Sequence, residues 1–160
     1  MQKGIFILLT SLLFIVGGTQ SVKAQEAMTK NAFFVELLGN GLIFSANYDV
    51  RLKGNLGARA GIGYLGGGKN AGGILTVPVM GNLLLGKNGK YFEVGLGATY
   101  IAGTGEIFDD QLSSVVGTAS FMYRRQPVDG GVMWKIGITP FLAKGTFIPY
   151  WFGAGIGYCW

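Results

Sequence analysis

Apolar side chains alternate with small or polar ones in successive segments of this 160-residue chain. The last segment shows the pattern most clearly, because one face carries large apolar side chains and the other is mostly glycine. The first face consists of Ile148, Tyr150, Phe152, Ala154, Ile156, Tyr158 and Trp160, and the second of Pro149, Trp151, Gly153, Gly155, Gly157 and Cys159. An alternation of period two predicts a β-strand whose two faces meet different surroundings.

Eight segments of this kind follow one another: Ala32–Gly39, Leu42–Lys53, Leu56–Leu65, Ile74–Leu85, Lys90–Ala102, Ser113–Arg124, Val132–Leu142 and Ile148–Trp160. Short connections at 53–55, 87–89 and 127–130 alternate with longer ones, of which 66–73 and 103–111 are the longest. Strands of about ten residues joined by short inner turns and longer outer loops are typical of bacterial outer-membrane barrels. We therefore predict an all-β fold, an eight-stranded antiparallel transmembrane β-barrel in residues 31–160 with both termini in the periplasm.

The polar face of these segments carries six charged side chains: Glu36, Asp49, Arg51, Arg59, Glu93 and Lys135. Only 13% of all residues are charged, against about 25% in soluble domains. A basic side chain facing lipid near mid-bilayer would cost roughly 2–4 kcal/mol, whereas opposite charges can pair inside a narrow barrel. We therefore expect a lumen charge network and an apolar face towards lipid, rather than a soluble ligand-binding barrel with a charged exterior.

Aromatic residues support the same assignment of faces. Nine of them have the parity of the apolar face and fall near one end or the other of their segments: Phe33, Phe44, Tyr64, Phe92, Tyr100, Tyr123, Trp134, Tyr150 and Trp160. Aromatic rings favour the headgroup level of a bilayer. Two aromatic belts, one at each membrane interface, are predicted.

The N-terminus has the form of a secretory signal. Lys3 precedes an apolar run from Ile5 to Val16, and Val22-Lys23-Ala24 provides a small-x-small cleavage pattern. The run is shorter than the ~20 residues that a spanning helix needs. We predict a signal peptide at 1–24, cleaved after Ala24, and a short N-terminal segment at 25–30; an N-terminal membrane anchor is the alternative.

One residue fits the barrel badly. Pro78 falls inside the fourth segment, and a closed barrel has no free edge where a missing backbone N–H would be harmless. A β-bulge would accommodate it. Pro140 raises the same difficulty near the end of the seventh segment.

The residue types exclude the outer-membrane barrel enzymes that depend on a His general base. The chain has no His, so a His general base beside a Ser or an acid cannot be built, and a zinc site lacks ligands because Cys159 is the sole Cys. Gly61, Gly63 and Gly66 match a dinucleotide fingerprint in spacing, but no helix pattern follows them. We therefore expect no catalytic, cofactor-binding or metal-binding residues. Glu106, Asp109 and Asp110 could bind Ca²⁺ in the longest outer loop, although a solvated acidic loop tip is the simpler interpretation.

The C-terminal segment suggests how such a chain would be inserted. It ends on an aromatic residue with outward apolar residues at alternate positions, and Phe152, Ile156, Tyr158 and Trp160 make up this candidate assembly signal. A terminal strand with one apolar face can pair with an exposed strand edge by β-augmentation. The barrel assembly machinery and periplasmic chaperones are the partners expected during biogenesis. The alternative is that Trp160 belongs only to the aromatic belt.

Several stretches resemble small outer-membrane β-barrel proteins of the Bacteroidetes: NAFFVELLGNGLIFSANYD at 31–49, RAGIGY at 59–64, TVPV at 76–79, YFEVGLG at 91–97 and YRRQP at 123–127. The resemblance covers the whole chain after the signal. It implies an integral outer-membrane protein of a Gram-negative bacterium and implies that Pro78 belongs to the family pattern. It implies little about function.

These observations lead to a functional expectation that is general. The net charge of +5 contains no basic run, so nucleic-acid binding has no support, and outer-membrane lipid is the expected surrounding. We expect a non-enzymatic integral barrel with a structural or surface-interaction role. The alternative is a binding, transport or secretion-accessory barrel for a small hydrophobic ligand or a protein partner.

Overall fold

The computed structural model describes residues 28–66, 73–104, 113–143 and 146–160. The predicted signal peptide and the acidic residues Glu106, Asp109 and Asp110 lie outside these ranges. The strands are β1 (Asn31–Leu38), β2 (Phe44–Lys53), β3 (Leu56–Gly66), β4 (Gly73–Lys87), β5 (Lys90–Thr104), β6 (Ser113–Arg125), β7 (Gly131–Ile138), β8 (Phe141–Ala143), β9 (Thr146–Ile148) and β10 (Phe152–Cys159). A 3-10 turn (Gly39–Gly41) connects β1 to β2.

The strands form one closed antiparallel barrel. Each strand from β1 to β6 pairs with the next one along the chain, and β10 pairs with both β7 and β1. We count β7 with β8 as one interrupted strand, the seventh, and β9 with β10 as another, the eighth. The barrel then has eight strands, and the predicted eight-stranded all-β barrel is confirmed. None of the described residues lies in a helix long and apolar enough to cross a membrane.

The seventh and eighth strands of the barrel are each interrupted, whereas the sequence pattern predicted continuous strands. β7 ends before Thr139 and Pro140, and β9 is separated from β10 by residues 149–151. The register between the seventh and eighth strands shifts by one residue across this region: Phe152 pairs with Ile138, whereas Ile148 pairs with Phe141. Prolines lack the N–H that a ladder requires, so the prediction of continuous strands was wrong where Pro140 and Pro149 occur.

Pro78 is accommodated without a bulge, an outcome that the sequence left open. The β3–β4 ladder keeps one register on both sides, from Ala60↔Val79 to Gly63↔Thr76, but lacks the two pairs in between. On its other side Pro78 pairs in register with Thr99. The missing N–H is therefore absorbed by a local gap in pairing with β3.

The two faces of the barrel differ as the alternation predicted. All nine residues assigned to the aromatic belts are exposed, and so are outward aliphatic residues such as Leu37, Leu52, Ile62, Leu96 and Ile136. Buried side chains are largely polar or charged. The apolar surface therefore faces outward and the polar surface lines the lumen.

Candidate functional site

The lumen contains a cluster of seven charged side chains that are no more than 8% exposed. They come from six of the eight strands of the barrel, all except the fourth and the last: Glu36 on β1, Asp49 and Arg51 on β2, Arg59 on β3, Glu93 on β5, Arg124 on β6 and Lys135 on β7. Six of the seven are the residues that the sequence placed on the polar face. Each lies at an inward position because the side chains of a β-strand alternate between its two sides.

Glu93 is the centre of this lumen cluster. Its carboxylate lies 2.8 Å from Arg124, 3.2 Å from Arg59 and 3.5 Å from Lys135. The Ser120 hydroxyl also donates a hydrogen bond to it, at 3.3 Å. One carboxylate thus joins cations of three different strands.

Asp49 forms a second centre nearer the end of the barrel that carries the termini. Arg124 donates to it at 3.0 Å and the Asn82 amide at 2.7 Å. Arg51 is also paired with Asp49 and donates to the side-chain oxygen of Asn82. Arg124 therefore bridges Asp49 and Glu93, and the two centres form a single network.

Glu36 and Lys135 make the third connection, at a Nζ–Oε1 distance of 2.8 Å. The Phe34 ring lies beside them, with Lys135 Nζ 4.5 Å from its centroid and the guanidinium carbons of Arg59 and Arg124 at 5.6 and 5.9 Å. A ring face attracts cations through its quadrupole. Four basic and three acidic side chains leave a formal excess of one positive charge, which the Phe34 ring partly offsets.

Ion pairs of this kind hold charged side chains at fixed positions inside the lumen. Desolvation offsets much of the Coulomb attraction in buried ion pairs, but removing one partner typically costs about 3–5 kcal/mol because a charge is left unpaired. Each of the three buried carboxylates has a cation within 3.0 Å. The long side chains that make these contacts join strands across the lumen.

The turn between β1 and β2 closes the lumen above the charges, at the end opposite the termini. It folds into the barrel, and Gly39, Asn40 and Gly41 are all buried. The Asn40 amide donates to Thr118 Oγ1 at 2.5 Å and to the Ala119 carbonyl at 3.2 Å, while Arg59 donates to its Oδ1 at 2.9 Å. The Thr99 hydroxyl donates to the Asn40 carbonyl.

Trp151 and Phe141 extend this closure. The Trp151 indole donates to the Gly39 carbonyl at 3.2 Å, and the two aromatic rings meet edge to face at 6.0 Å. Leu38 and Leu42 flank the turn with positive φ angles of 56° and 72°, a conformation that bulky residues rarely adopt. Hydrogen bonds with β3, β5 and β6 and with Trp151 hold the chain in this reversal.

The end of the barrel that carries the termini is closed differently. Gln126 donates to the backbone and the hydroxyl of Thr29, at 3.1 and 2.7 Å. Cys159 is buried in an apolar cluster with Ala32, Phe34 and Met133, and its thiol donates to the Gly131 carbonyl. Cys159 is thus a wall residue of this end.

Among the residues of the lumen, sequence reasoning missed Arg124, Asn40 and Asn82. Because Arg124 follows Tyr123, which was assigned to the outward face, the alternation of the strand would have placed Arg124 on the inward face. Asn82 lies in a segment that is apolar on both faces, with Leu84 and Met80 also buried, so alternation gave little signal there. Nothing in the sequence shows that the turn bearing Asn40 folds inward.

The residues of the candidate assembly signal share one exposed face. Phe152, Ile156, Tyr158 and Trp160 are between 52% and 60% exposed. β10 also forms the closing seam, since it pairs with β1 from Gly153 to Cys159 and Trp160 exchanges two backbone hydrogen bonds with Asn31.

The part of the chain that the structure describes has no metal cluster, and a small apolar cleft lies beside the β1–β2 turn. No group of three His, Cys, Asp or Glu side chains there could hold a metal ion. An apolar cleft among Leu42, Phe44, Tyr64, Leu65 and Ile74 has a volume of about 30 Å³, whereas ligand pockets typically measure about 300–1,000 Å³.

Comparison with known proteins identifies the fold. No protein-family model matches the chain, and no curated protein does either. The chain is similar in structure to the N-terminal β-barrel domain of Pseudomonas aeruginosa OprF, with a TM-score of 0.60 and 11% sequence identity over 84% of this chain and 98% of the other. At this identity the likeness establishes a shared barrel fold.

Proposed function

We propose that this protein is a non-enzymatic integral barrel of the outer membrane with a closed lumen, whose role is structural or lies in surface interactions. The observation that carries the proposal is the filled interior, where paired charges, a buried turn and the Gln126–Thr29 contact occupy successive levels of the lumen. Such an interior leaves the outer face and the outer loops as the parts able to meet other molecules.

The distribution of apolar surface supports the membrane setting. Large outward side chains are exposed all round the barrel, including Leu96 at 75% and Tyr64 at 65%. Water would disfavour a continuous apolar surface of this kind on a monomer. A bilayer satisfies both this face and the closed backbone ladders, since a barrel has no unpaired edge.

The fold shared with the OprF domain and the resemblance to small barrels of the Bacteroidetes support an outer-membrane location in a Gram-negative bacterium. Export by the signal peptide at 1–24 and insertion through the C-terminal strand would deliver residues 31–160 to that membrane with both termini in the periplasm. Chaperones and the barrel assembly machinery would be partners during this process only.

A ligand-carrying or transport role receives less support from the structure. The cleft beside Phe44 and Tyr64 has the volume of about one water molecule. A small hydrophobic ligand would need the lumen itself, where the charge network lies.

The location and the orientation can be tested by labelling cysteines in whole cells. In a Cys159→Ser background, Asp109→Cys reports the longest predicted outer loop and Asp129→Cys reports the exposed β6–β7 turn. A membrane-impermeant maleimide should label Asp109→Cys in intact cells and label Asp129→Cys only after the outer membrane is permeabilised.

The opposite labelling pattern would reverse the orientation. Equal labelling of both sites without permeabilisation, together with recovery of the chain in the soluble fraction, would reject the membrane barrel.

A further inference from the structure

Three cations form one row across adjacent strands at the end of the barrel that carries the termini. Lys87 on β4 pairs with Lys90 on β5, and Lys90 pairs with Arg125 on β6. All three side chains are exposed. Paired residues have Cβ atoms about 5 Å apart, so three like charges lie side by side.

Two further rows lie parallel to this one on the same outward face. Leu85, Phe92 and Tyr123 are paired across the same strands one step towards the barrel middle, and Leu83, Val94 and Phe121 come next. On each of the three strands, two apolar or aromatic side chains are therefore followed by a cationic one, and the change occurs at the same level on all three. Trp134, the partner of Arg125 on β7, lies 5.3 Å from the Tyr123 ring, centroid to centroid.

A tight turn connects the two lysines of this cationic row. Asn88 and Gly89 connect the two lysines with φ angles of 57° and 74°, which are those of a type I′ hairpin turn. The Gln126 N–H donates to the Gly89 carbonyl at 2.9 Å, which ties the turn to β6. The lysines therefore lie opposite each other at the two ends of a hydrogen-bonded turn.

Like charges placed directly opposite one another on a sheet destabilise it. None of Lys87, Lys90 and Arg125 makes an ion pair with any residue in the described ranges, and all seven charges of the lumen cluster face the other way. An anion from outside the chain would relieve the repulsion.

We propose that Lys87, Lys90 and Arg125 bind the phosphate of an anionic phospholipid headgroup in the adjacent leaflet, an inference that rests on the proposed membrane barrel. The aromatic row sets the depth, because aromatic rings favour the headgroup level. Long basic side chains just beyond that level extend their charges into the headgroups. The proposed occupant is a lipid with net negative charge, since the phosphate of a zwitterionic lipid is already matched by its own cation.

The test uses Trp134 as a local reporter. The chain with Trp151→Phe and Trp160→Phe is refolded into phosphatidylcholine vesicles, and a heat-modifiable band on gels establishes insertion. Quenching of Trp134 by brominated phosphatidylglycerol is then compared with quenching by brominated phosphatidylcholine. We expect the anionic lipid to be preferred, and we expect Lys90→Gln to reduce that preference about fivefold, as removal of one surface cation should.

Lys53→Gln is the matched control, because Lys53 is exposed at the same end but is paired with Leu56 and lies outside the row. It should retain the preference, and so should the parent chain when inorganic phosphate is added at the headgroup concentration. Insertion without a preference, equal losses in both variants, or competition by free phosphate would each overturn the headgroup site. Failure to insert into neutral vesicles would instead overturn the membrane barrel.

Discussion

Glu36 and Lys135 form an ion pair of 2.8 Å across the position of Gly155. Gly155 pairs with Glu36 on one side and with Lys135 on the other, so the three residues form one row through the closing seam. A Cβ at Gly155 would lie 3.3 Å from both Lys135 Cε and Phe34 Cδ2. The missing side chain is what lets the two charges meet beside the Phe34 ring.

Gly155→Val should therefore destabilise the barrel by about 3 kcal/mol, through overpacking and separation of the ion pair. Gly81→Val is the control, since a Cβ there would meet only the Leu96 carbonyl, at 4.0 Å, on the outward face. Urea unfolding from vesicles, followed by tryptophan fluorescence, measures the difference. Equal midpoints for the two variants would show that the seam does not need a glycine.

Glu93→Gln removes the carboxylate that joins Arg59, Arg124 and Lys135. We expect a loss of about 3–5 kcal/mol, because buried cations lose their partner. Asp129→Asn changes an exposed carboxylate without an ion pair in the described residues and should leave the unfolding midpoint unchanged. A midpoint for Glu93→Gln as high as that of Asp129→Asn would mean that water, not Glu93, balances these cations.

Leu96 is 75% exposed in the middle of β5. Leu96→Arg would place a charge on the lipid face, at a cost of roughly 2–4 kcal/mol near mid-bilayer, and should sharply reduce the amount of heat-modifiable protein in the outer membrane. Leu96→Ala keeps the position neutral and should assemble normally. Similar levels of the two variants would place this face away from lipid.

The alternation of residue types predicted the closed barrel, the two faces and the placement of Glu36, Asp49, Arg51, Arg59, Glu93 and Lys135 on the inward side, because parity in a strand is a local property. Which of these charges form ion pairs depends on the register between strands, and the residue pattern within one strand does not determine that register. The pairing of Glu36 with Lys135 requires Gly155 between them. The inward fold of Asn40 depends on donors from β3 and β5 and on an acceptor in β6, which are distant in sequence.

The C-terminal strand yields a prediction that separates insertion from export. Deleting Tyr158, Cys159 and Trp160 removes the end of the apolar face and the last contacts of the seam with β1. Export should continue, while the chain accumulates in the periplasm and is degraded. Trp160→Phe keeps an aromatic end and the backbone hydrogen bonds, and should insert normally. Normal amounts of inserted protein after the deletion would leave Trp160 with a role in the aromatic belt alone.

The closed lumen is tested most directly by current recordings across planar bilayers, made with protein whose insertion has been shown by its heat-modifiable migration. The paired charges around Glu93, the buried Asn40 turn and the Gln126–Thr29 contact lie at three levels of the lumen, and we expect them to block a continuous water path. The inserted protein should therefore produce no large, steady current steps. A stable porin-like conductance from the same preparation would contradict this account.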